Sequence, residues 1–202
     1  MGRALGGRNY RLFFTGQAIS LVGIWMQQIA VSWLVYRLSG SPFMLGFVAF
    51  TGQLPVFFLS SVGGVIADRW EKRRVLLTIQ TISMIHAFVL AILTLTGVIK
   101  IWHLVVLSIV PGFLQAVDIP TRQAFVIEIV ERREDLVNAI ALNSFMFNSA
   151  RLIGPSLGGV LIDKTGEGIC FLINGLGFFA AMSSLLRMRL AKSRRERLHI
   201  PL

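Results

Sequence analysis

The chain of 202 residues is 54% hydrophobic and only 15% charged, and it carries a formal net charge of +10. A soluble domain needs a polar surface and usually has about one quarter charged residues. The composition therefore argues against a soluble domain and indicates a membrane protein.

Six apolar blocks follow one another along the sequence, and four of them contain no Asp, Glu, Lys or Arg. A membrane-crossing helix needs roughly 20 apolar residues, and backbone groups in lipid must be paired within the helix. Helices buried in a soluble bundle would instead need a polar face. We therefore predict an all-α membrane protein with six transmembrane helices, at Leu12–Val35, Phe43–Ala67, Val75–Ile99, Ile101–Ile119, Leu136–Ile162 and Ile169–Leu186.

The cations are distributed unequally between the two sides that six crossings would create. Sixteen fall in the segments on one side, and only Arg37, Lys100 and Lys164 fall on the other. Cationic segments stay in the cytoplasm during insertion, so we predict a multi-pass protein of the inner cell membrane with both termini cytoplasmic. Topology and attraction to membrane lipid then explain the basic charge, and no nucleic-acid partner is expected.

These crossings divide the chain into three predicted parts. Residues 1–11 form a cytoplasmic amino terminus, and residues 12–186 form the six-helix transmembrane domain. Residues 187–202 form a basic cytoplasmic tail or the start of a central loop.

Two segments that lie three helices apart are alike. Ser61–Arg69 reads SVGGVIADR and Ser156–Lys164 reads SLGGVLIDK, so that five of nine residues are identical. A three-helix unit repeated in opposite orientation is a mark of secondary transporters. We predict a 3+3 inverted repeat, with chance similarity among small and apolar residues as the alternative.

A motif that starts at a glycine near the end of the second block continues into the following loop, where charged residues follow at fixed spacing. It resembles the loop between helices two and three of the major facilitator superfamily, GxxxDRxGRR, with Glu71 in place of the second glycine. The resemblance implies a gating loop that latches two six-helix halves when the inner gate is closed, formed by Gly64, Asp68, Arg69, Lys72 and Arg73. We also expect Gly64 to pack closely against a neighbouring helix. A solvated basic loop is the alternative.

The fifth block contains a second motif. Its segment 154–159 is similar to the GPxxGG motif of the superfamily's antiporters. Small residues four apart let helix backbones approach, so we interpret Gly154, Pro155, Gly158 and Gly159 as a helix-five packing motif.

Segments 118–124 and 143–151 are similar to the branch of enterobactin exporters and macrolide efflux pumps. The chain as a whole resembles the amino-terminal six-helix half of a superfamily member. Because the superfamily uses twelve or more helices, the resemblance implies that a missing carboxyl-terminal half, or a second copy of the chain in a homodimer, completes the transporter.

Two charged residues, Asp118 and Arg151, lie within the apolar blocks, and Arg122 follows Asp118 by four residues. Arg151 lies about fifteen residues into the fifth helix, where an arginine costs roughly 2.5–3.5 kcal/mol, so it should face a cavity or an ion-pair partner. Snorkelling to an interface is the alternative.

Asp118 is the natural proton carrier if transport is proton-coupled, but Arg122 could equally hold it in a salt bridge. Pro120 would bend or end the helix between these two residues.

The resemblance implies that helices one and four line a substrate cavity. Gln17, Gln27 and Gln115 are therefore substrate-facing candidates, together with Asn148, which shares a helical face with Arg151. Hydrogen bonding between helices is the alternative for glutamines. His86, midway along the third block, is expected to be a packed neutral histidine and not a proton relay.

These features predict a secondary active transporter, or its amino-terminal half. It would export a small amphiphilic molecule such as a drug, siderophore or metabolite by proton-coupled alternating access. The proton gradient would supply the energy, and neither a cofactor nor a metal is expected. An enzyme is disfavoured because the sequence has no HExxH, GxSxG or acidic cluster. The alternative is a truncated or half-size membrane subunit that has no transport activity of its own.

Overall fold

A computed structural model of the protein describes residues 3–130 and 132–188. Within these residues the chain is all-α, as predicted, and two short 3-10 turns at Arg3–Gly6 and Arg133–Asp135 precede the first and fifth helices. The helices are α1 (Arg8–Ser39), α2 (Pro42–Arg69), α3 (Lys72–Leu95), α4 (Ile101–Ile129), α5 (Leu136–Thr165) and α6 (Glu167–Arg187). Beyond Met188, the predicted basic segment 187–202 lies outside the described residues.

Five of the helices in the described residues are long and apolar enough to cross a membrane. The exception is α5, whose 30 residues include several asparagines and serines as well as Arg151. The prediction of membrane-crossing helices is thus confirmed for α1 to α4 and for α6, by length and composition. A sixth crossing by α5 stays a prediction.

The carboxyl-terminal ends of α3 and α4 differ from the ends of their apolar blocks. α3 ends at Leu95, four residues before its block does, because the chain turns at Gly97 with a positive φ of 72°. α4 continues through Pro120 to Ile129, so of the two alternatives for Pro120, bending the helix or ending it, the second is wrong. The longer α4 carries Arg122 as well as Asp118 on one continuous helix.

The prolines inside α4 each leave a carbonyl without its helical donor, because proline has no N–H. For Pro111 this is the carbonyl of Leu107, four residues earlier. His86 of α3 replaces the missing donor, since its ring Nε2 lies 2.9 Å from the Leu107 oxygen. His86 is buried, and this bond gives it the structural role that was expected from the sequence.

The helices do not pack on one another equally. α6 packs on both α1 and α3, whereas α2 packs chiefly on α4 and α5 chiefly on α1. α2 and α5 therefore lie at the edges of the bundle, with large exposed side chains such as Phe57 on α2 and Leu152 on α5. Both edge helices use glycine to approach their neighbour.

The glycines that make these contacts are Gly63 on α2 and Gly154 and Gly158 on α5. A Cβ at Gly63 would collide with the backbone oxygen of Ala116 on α4. A Cβ at Gly154 or Gly158 would meet side-chain atoms of α1, 2.5 Å and 2.6 Å away. Gly154 and Gly158 thus lie at close range against α1, and the adjacent Pro155 is half-buried.

Gly64 and Gly159 behave differently, because a Cβ at either position would meet nothing within 4 Å. Within the described residues Gly64 therefore makes no close contact with a neighbouring helix, and Gly63 makes the contact that was predicted for Gly64. Gly159 likewise makes no close contact within the described residues. One residue corresponds to a rotation of about 100° around a helix, so adjacent glycines face different directions.

The two ends of the bundle carry different charges. One end joins the starts of α1, α3 and α5 to the ends of α2, α4 and α6, and the Tyr10 hydroxyl there donates to the Ala139 carbonyl at 2.9 Å. We call it the basic end, because it holds Arg8, Arg11, Arg69, Lys72, Arg73, Arg74, Arg132 and Arg187. At the opposite end, Arg37 of α1 binds Glu167 of α6 through two hydrogen bonds, of 2.8 and 3.0 Å.

Candidate functional site

The predicted gating loop connects α2 and α3 at the basic end. Lys72 Nζ lies 3.1 Å from a carboxylate oxygen of Glu128 near the end of α4. Arg73 donates from Nη2 to the Leu186 carbonyl near the end of α6, at 2.8 Å. These two loop residues thus tie α3 to both neighbouring helices, while Asp68 and Arg69 end α2 with exposed side chains.

A buried polar cluster lies between α1 and α4. Arg122 donates from Nε and Nη2 to Oδ2 of Asp118, at 3.0 and 2.5 Å. Its Nη1 donates to Oε1 of Gln17 on α1. Arg122 and Asp118 are both mostly buried, with 13% and 17% of their side chains exposed. The salt bridge that was considered for these two residues is therefore present, and it includes a third member from α1.

Several polar atoms of this cluster are buried without a hydrogen-bond partner among the described residues. They are Oδ1 of Asp118, Nε2 of Gln17 and Oγ of Ser20, one turn further along α1. Unpaired buried polar atoms are rare and need an explanation.

The structure places the predicted cavity residues in different environments. Gln17 is 1% exposed and bonded to Arg122, so it does not line an open cavity here. Gln27 is half-buried and accepts from Nδ2 of Asn174 on α6, at 2.8 Å. Gln115 and Asn148 are exposed, and Asn148 donates back to the Ser144 carbonyl of its own helix at 2.8 Å. Hydrogen bonding between helices, the alternative interpretation, thus describes Gln17 and Gln27.

Asn174 is a polar contact that the sequence analysis missed. It is fully buried, and Gly23 of α1 makes room for it, because a Cβ at Gly23 would lie 2.5 Å from Oδ1 of Asn174. The sequence does contain a signal for this contact, because Asn174 is the single amide side chain of its apolar block, 169–186.

Arg151 lies on the exposed face of α5 and contacts an aromatic pair. Its guanidinium carbon is 5.5 Å from the centre of the Trp25 ring on α1. Phe147, one turn earlier on α5, meets the same Trp25 edge-on at 5.6 Å. The structure does not unite this cluster with the Asp118–Arg122 pair, because Gln17 and Trp25 lie eight residues apart on α1, about 12 Å along its axis.

A lateral groove of about 710 Å³ opens between α2, α3 and α4. Its wall is almost entirely apolar, and Trp70, Glu71 and Arg74 line it from the basic end. Glu71 and Arg74 form an ion pair of 2.5 Å there. None of the four predicted cavity residues lines this groove.

Comparison with known proteins identifies relatives over almost the whole chain. A family described as transmembrane secretion effector matches residues 4–200. The chain is 29% identical over 173 residues to the staphyloferrin A transporter of Staphylococcus aureus strain NCTC 8325, a match that covers 85% of this chain and 43% of that protein.

Two further relatives extend this comparison. An uncharacterized MFS-type transporter of Bacillus subtilis strain 168, YfiS, is 30% identical over 164 residues, or 81% of this chain and 38% of that protein. The enterobactin exporter EntS of Salmonella typhimurium strain LT2 is 26% identical over 180 residues, or 89% of this chain and 43% of that protein. The chain spans about two fifths of the length of these curated relatives.

Proposed function

Since the chain belongs to the transmembrane secretion effector family of major facilitator superfamily transporters, we propose that it forms one six-helix half of an exporter of small amphiphilic molecules. The family match over residues 4–200 carries this proposal. Among the substrate classes we rank siderophores before drugs and other metabolites, and relatives described as a staphyloferrin A transporter and an enterobactin exporter support this choice.

In this proposal α5 is the sixth membrane crossing, and the six helices form two inverted three-helix repeats. The packing supports the repeat, because α2 on α4 and α5 on α1 become the same contact when α1 to α3 correspond to α4 to α6. The glycines support it as well. Gly63 and Gly158 occupy matching sequence positions and both pack, while Gly64 and Gly159 match and both face open space.

The open faces of α2 and α5 are the surface that receives the second half of the transporter. That half is either a carboxyl-terminal six-helix unit or a second copy of this chain. Gly64 and Gly159 let a backbone of the second half approach both edge helices closely. The loop from Gly64 to Arg73 then latches the two halves at the basic end, which lies on the cytoplasmic side of the inner cell membrane.

Proton coupling takes place at Asp118. When Oδ1 of Asp118 binds a proton, the carboxyl group loses its charge and its attraction for Arg122 weakens. Arg122 is then held mainly by Gln17, so protonation changes how α4 is tied to α1. Such a change in interhelical contact is what alternating access requires of a coupling site. The proton gradient supplies the energy, and the proposal includes no cofactor.

The test uses inverted membrane vesicles from cells that produce the full chain, energised so that their interior is acidic. A pH-sensitive dye reports the release of protons when iron-free siderophores, macrolides or cationic dyes are added. We expect at least one compound to release protons, and Asp118→Asn to abolish the release while insertion into the membrane persists. The matched control Asp163→Asn removes a carboxylate from the exposed end of α5 and should retain the release.

A well-inserted chain that releases protons with none of these compounds would contradict the transport proposal. The alternative of a half-size subunit without its own activity would then stand. Retained release by Asp118→Asn would contradict the coupling role and leave Asp118 and Arg122 as a structural salt bridge.

A further inference from the structure

Arg151 is a cation halfway along α5, and the described residues offer it no counter-ion. It follows fifteen residues after Leu136 in a helix of 30, so its side chain lies about 22 Å along the axis from either end. Snorkelling spans only part of such a distance. A charge at this depth needs water, an ion partner or a ligand.

Carboxylates are absent from the surroundings of Arg151 in the described part of the chain. The ion pairs found there involve other cations, namely Arg37, Lys72, Arg74 and Arg122. α1, on which α5 packs, contains no Asp or Glu. The single carboxylate of α5, Asp163, lies twelve residues further on, about 18 Å along the helix.

The side chains around Arg151 have the character of a small-molecule site. Trp25 lies beneath the guanidinium and Phe147 meets its ring at an interplanar angle of 76°, so that two aromatic surfaces adjoin one cation. Asn148 adds an exposed amide on the same helix face. Ligand sites are mostly apolar, with a few polar groups that fix orientation. A guanidinium presents a planar fork that matches a carboxylate in two hydrogen bonds.

We propose that Arg151, Trp25 and Phe147 bind an amphiphilic anion, a molecule whose carboxylate lies next to a planar apolar group. The carboxylate pairs with Arg151, and the apolar group packs against the aromatic pair. This inference rests on the proposed function and narrows its substrate class from amphiphiles to anions. A carboxylate from the second half of the transporter is the other possible partner, but such a partner would need no aromatic surface beside the cation.

The experiment compares two probes that differ in charge but hardly in shape, 2-naphthoate and 2-naphthamide. Equilibrium dialysis measures their binding to the purified full chain in lipid nanodiscs. We expect the naphthoate to bind about tenfold more tightly than the amide, as a charge-assisted hydrogen-bonded pair would give. Arg151→Gln should make the two affinities equal, and Arg151→Lys should retain part of the preference.

A matched control and a second variant distinguish the loss of this site from the loss of any cation or of apolar surface. Lys164→Gln removes one cation from the end of the same helix. This variant should still bind the naphthoate more tightly than the amide, as the unmodified chain does. Trp25→Leu should weaken the binding of both probes by a similar factor, because it removes apolar surface and not charge. Equal binding of both probes to the unmodified chain, or a preference that survives in Arg151→Gln, overturns the proposal.

Failure of the anion-binding proposal and failure of the transport proposal give different results. Charge-selective binding at Arg151 in a chain that moves no protons would contradict transport and leave the binding site standing. Proton release by a chain that binds both probes equally would support transport and overturn the anion site.

Discussion

Arg122 shows how a buried cation organises the residues around it. A guanidinium has five donors, and in this structure three of its nitrogens bond to acceptors from two helices. Gln17 is therefore buried as a partner of Arg122, although the sequence analysis placed it in a cavity. Gln17 and Arg122 lie 105 residues apart in the sequence, so no local sequence pattern revealed the contact.

His86 carries a prediction at the same scale. His86→Leu removes the donor to the Leu107 carbonyl, which Pro111 has deprived of its helical N–H, so a buried acceptor is left unpaired. We expect a loss of about 1–3 kcal/mol in stability. Thermal unfolding in detergent measures it.

Pro111→Ala provides the control for this prediction, because alanine restores the backbone donor to Leu107. The loss caused by His86→Leu should be smaller in the Pro111→Ala background than in the unmodified chain. Equal losses in both backgrounds would show that His86 stabilises the protein by packing alone.

The elements differ in how far their contacts could be predicted. Apolar runs located all six helices of the described chain, because lipid requires helical backbone and the runs are long. Most helix ends that differ from the runs extend beyond them, because charged side chains at helix ends reach water, as Arg8 and Arg69 do. Which of two adjacent glycines packs was not predictable, because it depends on how α2 crosses α4.

Paired glycine substitutions test the packing of the edge helices. Gly63→Ala forces a Cβ against the Ala116 carbonyl, which cannot move without α4, so we expect a loss of about 1–3 kcal/mol. Gly64→Ala meets open space and should cost much less. Gly158→Ala and Gly159→Ala form the corresponding pair on α5, with a smaller contrast because flexible side chains of Met26 and Ile29 face Gly158.

Thermal unfolding of these four variants in one detergent ranks the losses. Equal losses at Gly63 and Gly64 would contradict the crossing of α2 and α4 described above. A contrast of the same sign in both helices would add support to the inverted repeat.

At the scale of the whole molecule, the charged ends predict an orientation. In a background of Cys170→Ala, which removes the single cysteine, cysteines introduced at Lys100 or Lys164 should react with a membrane-impermeant maleimide in intact cells. A cysteine at Arg132 should react only after permeabilisation. The opposite pattern would place the basic end outside the cell.

The open edge faces predict where the proposed second half would bind. Cysteines at Gly64 or Gly159 should crosslink through a short bis-maleimide, either to a second copy of the chain or to another membrane polypeptide. A cysteine at Ile85 of α3, which is also exposed, provides the control and should not crosslink. Crosslinks at Ile85 but at neither glycine would assign the partner to a different face.

The contact between α5 and α1 also bears on how the protein is made. α5 is the one long helix of the described residues that is not apolar enough to count among the membrane-crossing helices by composition. As the proposed sixth crossing it would bring Arg151 into the membrane, so we expect it to insert poorly on its own. By the time α5 leaves the ribosome, α1 is already in the membrane, with Trp25 positioned to meet Arg151 and a backbone surface that fits Gly154 and Gly158. The first helix synthesised would then act as an intramolecular chaperone for the fifth, and glycosylation mapping should find α5 uninserted when α1 is replaced by an unrelated apolar helix.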